Sequence, residues 1–410
     1  MHTRWISVAL LALGAAASLP ATADPAAAAT GASTAADTGQ NGSALQEIVV
    51  TARKREESSQ TVPEAVNAIS AQQIEQTFQM SGLGLEGASP NLVFDKVVAG
   101  PGAAALSIRG ISFQDIEKSF DPAVGVVLDG IYLGTSTGQV FQMFDFDRVE
   151  ILRGPQGTLF GKNTIGGAID IVRTEPTGGW GADMRVQAGS YNLLNFDGVF
   201  NAPIVQDILA AKVTITSRHQ QSPVFNLYTD SYPDGTVYSS YAATLKFTPI
   251  DTVKVLYTYQ REEDNSPIGS ILNVSLPTDL LCFAFKQCAQ NATGTIPQTG
   301  SLLVSDQDYT NKQFYYLDAH TLNAKYEFIP GSTLTYIFGL RKDAEETNQD
   351  FDASPVPFYE TTRDQHYRQE SNEFRYTYDQ GGIFNLVSGV YFWKAEYTLH
   401  QGTLFLGIPD

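Results

Sequence analysis

The segment FDFDRVEILRGPQGTLFGKNTIGGAIDIVRTEP, residues 144–176, sets two apolar strands around a glycine-rich turn. Val149-Glu150-Ile151-Leu152-Arg153 alternates in polarity and predicts a short strand. Gly154-Pro155-Gln156-Gly157 supplies a turn, because proline presets φ and glycine reaches positive φ without strain. Residues 168–172 predict a second strand. Glycines packed between apolar strands imply close backbone approaches, not a flexible linker. A faint phosphate-loop likeness at residues 157–162 fails, since Gln156 stands where glycine is needed and Asn163 where serine or threonine is needed.

Upstream, residues 1–23 carry Arg4, an apolar run from Trp5 to Leu19, and Ala21-Thr22-Ala23. That order predicts a signal peptide cleaved after Ala23; the run is short for a membrane helix. Residues 24–46 are rich in Ala, Thr, Gly and Ser and predict a disordered spacer. Glu47-Ile48-Val49-Val50-Thr51-Ala52 is a β-prone hexapeptide before a charged run, Arg53-Lys54-Arg55-Glu56-Glu57. It reads equally as the first strand of the next domain or as an exposed segment that adds to a partner's sheet edge. A mixed α/β unit follows. It has a strand over residues 63–69, a helix over 71–79 capped by Ser70 and Gln73, and a strand over 107–111. A hairpin turning at Asp129-Gly130 comes next. The quoted segment closes the unit.

Downstream of Pro176 the period changes to two. Met184, Val186 and Ala188 alternate with Asp183, Arg185 and Gln187; Val253, Val255, Tyr257 and Tyr259 alternate with Lys254, Thr258 and Gln260. Similar runs continue to Tyr397 and predict roughly nine antiparallel strands. Their connections alternate between short (residues 201–203, 249–251 and 329–331) and long (264–308 and 343–363). Tyr, Phe and Trp gather at strand ends. Together these features favour a transmembrane β-barrel over a soluble sandwich.

The 410 residues carry a formal net charge of −18, which argues against a nucleic-acid partner. Cys282 and Cys288 have no further metal ligands nearby; they fit a short loop-closing disulfide in an oxidising compartment, or two free thiols. His219, His320, His366 and His400 lack metal spacing, and no nucleophile–base or paired-carboxylate arrangement has local support. Neither an enzyme nor a bound cofactor is expected.

These residues resemble the TonB-dependent outer-membrane receptors. Residues 47–52 resemble the TonB box; Ser107-Ile108-Arg109-Gly110, Val127-Leu128-Asp129-Gly130 and residues 149–172 resemble the plug domain. Gln369-Glu370-Ser371-Asn372-Glu373-Phe374-Arg375 resembles a strand signature of the barrel. The resemblance implies an α/β plug over residues 58–176 and an antiparallel barrel from 177, incomplete here. The family barrel has about 22 strands, and the residues after Pro176 supply roughly half of that at about ten per tilted strand. The sequence is therefore expected to be part of a longer one. The resemblance further implies a place in the Gram-negative outer membrane, in contact with its lipid. It implies TonB as the partner of Glu47, Ile48, Val49, Val50, Thr51 and Ala52, energised by the inner-membrane ExbB/ExbD complex. An iron–siderophore complex or other scarce solute is the expected cargo. Arg109 and Arg153 are expected to pair with barrel glutamates, Glu373 among them. A signal-transducing receptor is the alternative, as is a fragment without transport activity. The signalling subset places an extra folded domain before the box, and residues 24–46 are too few to hold one.

Overall fold

The structure is a computed structural model that describes residues 49–405 and 408–409. Breaks fall at 52, 56, 59, 61, 77–80, 97–102, 114–119, 138, 140–141, 274–277, 279–302, 309–311, 355–356 and 382–383. The predicted signal peptide and spacer, Glu47, Ile48, Ala52, Cys282 and Cys288 lie outside the described residues.

β1 (Val49–Val50) and β2 (Glu57–Ser58) pair antiparallel. β3 (Val66–Ser70) runs into α1 (Ala71–Gln76). The predicted capping box forms: Ser70 N–H donates to Gln73 Oε1 (3.0 Å) and Gln73 N–H to Ser70 Oγ (3.4 Å). A 3-10 turn (Gly82–Leu85) precedes β4 (Leu92–Lys96), β5 (Ala104–Ile108) and β6 (Ile111–Ser112), which make a three-stranded antiparallel sheet. The single strand expected at residues 107–111 is in fact a tight hairpin. Arg109 (φ 55°) and Gly110 (φ 73°) both enter the left-handed region and reverse the chain between β5 and β6.

β7 (Val124–Leu128) turns at Asp129-Gly130 into β8 (Ile131–Leu133), as the dipeptide predicts. The quoted segment forms β9 (Phe146–Arg153), α2 (Gly157–Phe160) and β10 (Gly167–Arg173). The sheet order is β3-β9-β10-β7-β8, with β10 parallel to β7 and antiparallel to β9. On one face Val149, Ile151, Ile169 and Ile171 pack with Phe94, Ile108, Val124 and Val126. On the other, Leu152 and Ala168 pack with Val50, Val62, Val127, Tyr132 and Phe160. Both faces are covered, and Glu150 is 0% exposed.

The second part is one antiparallel sheet. Its long strands are β11 (Gly181–Gly189), β12 (Leu193–Val205), β13 (Leu209–Gln221), β15 (Asp234–Ile250), β16 (Val253–Asp264), β18 (Lys312–Ile329), β19 (Ser332–Asp350), β20 (Tyr359–Asp379) and β21 (Asn385–Phe405). β22 (Ile408–Pro409) adds a short edge. β14 (Phe225–Asn226) and β17 (Val304–Ser305) form a separate parallel pair between connections. The nine long strands match the sequence count, and the sheet is not closed.

The two faces of this sheet invert those of a soluble protein. Met184, Val186, Phe200, Val213, Leu245, Phe374 and Phe392 are exposed, whereas Asp197, Lys212, Arg218, Thr244, Thr258, Gln365 and Gln369 are buried. Apolar outside and polar inside is the pattern a bilayer demands. Aromatics cluster at the short-turn end: Trp180 on Phe200 (5.8 Å), Phe328 on Tyr376 (6.2 Å) and Tyr378 on Phe384 (6.1 Å).

Two connections differ from expectation. Residues 201–203 lie within β12, where Pro203 sits opposite Ala210 beside a bulge; the turn comes after Val205. A bulge is one of the places where a strand tolerates the missing proline N–H. The long loop expected over 343–363 is mostly strand: Asp343 pairs with Tyr367 and Asp350 with Glu360. Charged residues on both faces hid this extension, because strands of 19 and 21 residues outrun the apolar zone that creates the alternation.

A test of the core follows from Gly167. A Cβ there would overlap the Leu152 carbonyl oxygen and lie 2.8 Å from Ile108 Cδ1. Gly167→Ala should destabilise the α/β domain by about 1–3 kcal/mol or more through overpacking, read as earlier urea unfolding in detergent micelles.

Candidate functional site

The described residues of the β-prone hexapeptide, Val49, Val50 and Thr51, are docked at the end of the sheet where the short turns lie. Val49 sits opposite Ser58, and Val50 opposite Glu57. Val50 is fully buried in the apolar cluster around Leu152 and Phe160. The next residue is held by polar bonds. Thr51 N–H donates to Glu150 Oε1 (2.7 Å), and Thr51 Oγ1 donates to the same oxygen (3.0 Å). Arg148 Nε donates to that oxygen too (2.8 Å), and Arg148 Nη2 donates to Thr51 Oγ1 (3.2 Å). The chain then turns, with Lys54 N–H donating to Thr51 O (2.7 Å).

The charged run fastens the turn. Glu57 accepts from Arg53 Nε (2.7 Å) and from Arg55 Nη2 (2.5 Å), and the Arg53 guanidinium holds its carboxyl below the usual range. Arg55 Nη1 reaches Asp379 at the end of β20 (3.4 Å). Lys54, at φ 61°, places its ammonium 4.0 Å from the centre of the Phe160 ring. Burial pushes the Lys54 ammonium down, while Asp170, Glu373 and Glu150 oppose that shift. Burial likewise pushes the Asp170 carboxyl up to about 6, against the attraction of Lys54. A cavity of about 460 Å³ separates this cluster from the wall; Thr51, Lys54, Arg148 and Asp170 line one side, and Thr258, Thr335 and Arg375 the other.

Among the described residues, the contacts between the α/β domain and the wall run through other side chains than Arg109, Arg153 and Glu373. Glu373 pairs with Arg375, two residues along β20 (Nη2 to Oε1, 2.5 Å). Residues two apart share a face of a strand, so the nearest counter-charge lies on the same strand. Arg109 sits in the hairpin turn, its Nη1 3.2 Å from where a Cβ on Gly154 would stand. Arg153 donates its backbone N–H to Ala65 O (3.0 Å), and its buried Nε has no partner among the described residues. The first residue of the barrel signature makes the contact instead. Gln369 is 1% exposed, donates Nε2 to Tyr132 O (2.6 Å) and accepts from Gly134 N–H (2.9 Å). Asp145 binds Lys212 Nζ (2.5 Å) and accepts from Thr214 Oγ1 (2.8 Å). Arg173 joins Asp129 (2.6 Å) to Gln260 (2.8 Å).

Sequence reading missed Glu150, Gln369, Asp145 and Lys212. Gln369 and Glu150 lay inside the quoted motifs. For Glu150 the signal was a polar residue among apolar neighbours in β9, which must find a partner once both faces are covered; Gln369 lies in a largely polar strand and carried no such signal. Of the histidines, His320 stacks on Tyr259 (5.1 Å) and shares a hydrogen bond with the Tyr257 hydroxyl (2.8 Å). His366 faces Asp364 (3.4 Å) on the exposed side of β20.

Residues 58–168 match the TonB-dependent receptor plug domain. The pesticin receptor of Yersinia pestis is 32% identical over 158 residues, 37% of this chain and 21% of that protein. The vitamin B12 transporter BtuB of Vibrio vulnificus is 26% identical over 147 residues, 35% of this chain and 23% of that protein. Among solved structures, the ferric yersiniabactin uptake receptor FyuA of Yersinia pestis is similar in fold (TM-score 0.70, 20% identity), covering 85% of this chain and 51% of that one. The ferripyoverdine receptor of Pseudomonas aeruginosa is similar as well (TM-score 0.66, 14% identity), covering 88% of this chain and 48% of that one. The matched part of the chain thus spans about a fifth of the curated relatives and about half of the solved ones.

The Asp170 shift has a testable sign. A carboxyl raised to about 6 in the folded state favours folding below its unfolded value, and that contribution is lost as pH rises through about 6. Asp170→Asn should therefore unfold with wild-type stability at pH 4. At pH 7 it should be more stable by up to about 3 kcal/mol, by urea titration in detergent.

Proposed function

We propose that this chain, a TonB-dependent outer-membrane receptor by its plug domain and its barrel strands, serves the energised import of a scarce solute, specifically an iron–siderophore complex. Its relatives are receptors and transporters rather than enzymes. In this reading Glu47 to Ala52 is the TonB box, and TonB takes it up by adding it to a sheet edge.

The observation that carries the reading is how short the segment's strand pairing is. Among the described residues, Val49 and Val50 pair with Ser58 and Glu57. A two-residue ladder is marginal in water, so the segment can exchange β2 for a partner's edge without unfolding the plug. The pull is then delivered where Thr51 meets Glu150, on β9, an interior strand of the plug sheet. Force applied there acts on the core rather than on a frayed end. The cavity beside Thr51 and Lys54 gives the segment room to leave. The siderophore assignment draws on the two similar folds that carry ferric yersiniabactin and ferripyoverdine. The vitamin B12 transporter among the relatives marks the competing cargo.

Val49→Pro removes the N–H that a strand partner needs. In the outer membrane of iron-starved cells it should cut uptake of the radiolabelled ferric complex by about tenfold or more, with binding at the cell surface unchanged. Normal uptake by this variant would remove the box assignment. Ferric yersiniabactin, ferripyoverdine and vitamin B12 are the first probes. Energy-dependent uptake of vitamin B12, with neither iron complex taken up, would remove the siderophore assignment and keep the rest.

A further inference from the structure

We infer that Glu150 is the clasp that sets how often the box segment is docked. It is thus a positioning residue for the engagement of TonB, and this inference rests on the box reading above. The argument begins with cost. Glu150 is a carboxylate at 0% exposure in the middle of a strand whose neighbours are Val149, Ile151 and Leu152. Its Oε2 is buried without a partner among the described residues, so the donors at Oε1 are what offset the cost of burying the charge.

Of the three hydrogen bonds to its Oε1, two come from Thr51 and one from Arg148. Arg148 belongs to β9 itself and stays when the segment departs. Thr51 does not. Undocking would leave a buried carboxylate with one donor where it had three. The docked state is therefore favoured by the needs of Glu150 as well as by the apolar seat of Val50.

Two further features fit a clasp rather than a plain core acid. Arg148 bonds both partners, Glu150 and the Thr51 hydroxyl, so it orients the carboxylate toward the segment. The cavity that Thr51, Arg148 and Asp170 line gives water a route to Glu150 once Thr51 has gone. Undocking is thus costly without being forbidden, as a segment that must dock again requires. Because a partner sees only the undocked fraction, its apparent affinity is scaled by that fraction.

The test uses the receptor purified from outer membranes, with Cys282 and Cys288 replaced by serine and a nitroxide label on Val49→Cys. Glu150→Gln keeps the shape and removes the charge. It should raise the mobile fraction of the label about fivefold and lower the apparent Kd for the periplasmic domain of TonB by a similar factor. A control label on Glu75→Cys, exposed on α1, should not change. An unchanged label at position 49 overturns the clasp. Mobility rising at both positions also overturns it, because Glu150 would then serve the plug core as a whole. A mobile label at 49 with unaltered TonB affinity keeps the clasp and removes the TonB reading on which it rests.

Discussion

A strand that crosses a bilayer has no water for its backbone, and its two faces meet opposite solvents. Every other relation in this protein follows from that. The nine-strand ladder supplies the backbone bonds, the outer face is apolar, and the inner face must be polar. The domain that lies against the inner face has few apolar contacts to draw on, Ile131 beside Gly339 and Ile337 beside Gly130 among them. It is fastened further through Gln369 on the Tyr132 and Gly134 backbone, through Lys212 on Asp145, and through Gln260 on Arg173. Each of these is a polar bond with a defined geometry.

The α/β domain keeps its own apolar core, and β9 and β10 lie at its centre. Their central place explains why one segment carries so much. Gly167 lets β10 pass the Leu152 carbonyl, and Ile151 and Ile169 fill one face. Leu152 and Ala168 fill the other, where Val50 also seats. Glu150 breaks the apolar run and gives the strand a polar grip on the segment ahead of the domain. A carboxylate in that position ties a strand paired on both edges to a two-residue strand. The arrangement converts the state of a two-residue strand into a matter of core hydrogen bonding.

Charge is used differently at the two ends of this link. At the turn, Arg53, Arg55 and Glu57 form a partly exposed network in which solvent weakens each pair. At the core, Arg148, Glu150, Asp170 and Lys54 sit close to apolar neighbours, and burial dominates the shifts of Asp170 and Lys54. The first network guides the turn, and the second sets the free energy of docking. The cavity between them and the threonine-rich wall lets both rearrange without disturbing β9.

Local rules sufficed for much of the fold. The Ser70–Gln73 cap, the Asp129-Gly130 hairpin, the two central strands and the number of long strands were all legible in the sequence. Caps, tight turns and period-two alternation are written over a few neighbouring residues. Partners distant in sequence are not. That Glu150 is buried, that Gln369 rather than Glu373 reaches across, and that β19 and β20 continue through charged residues depends on surfaces brought together from far apart. The alternation in residues 149–153 marked a strand, and the packing of Val50 and Phe160 against Leu152 covers its second face. Sequence alone determined which segments are strands and that the wall is built for a membrane. Only the tertiary structure decided which polar residues face one another, because a polar side chain takes its role from the partner that burial leaves within reach.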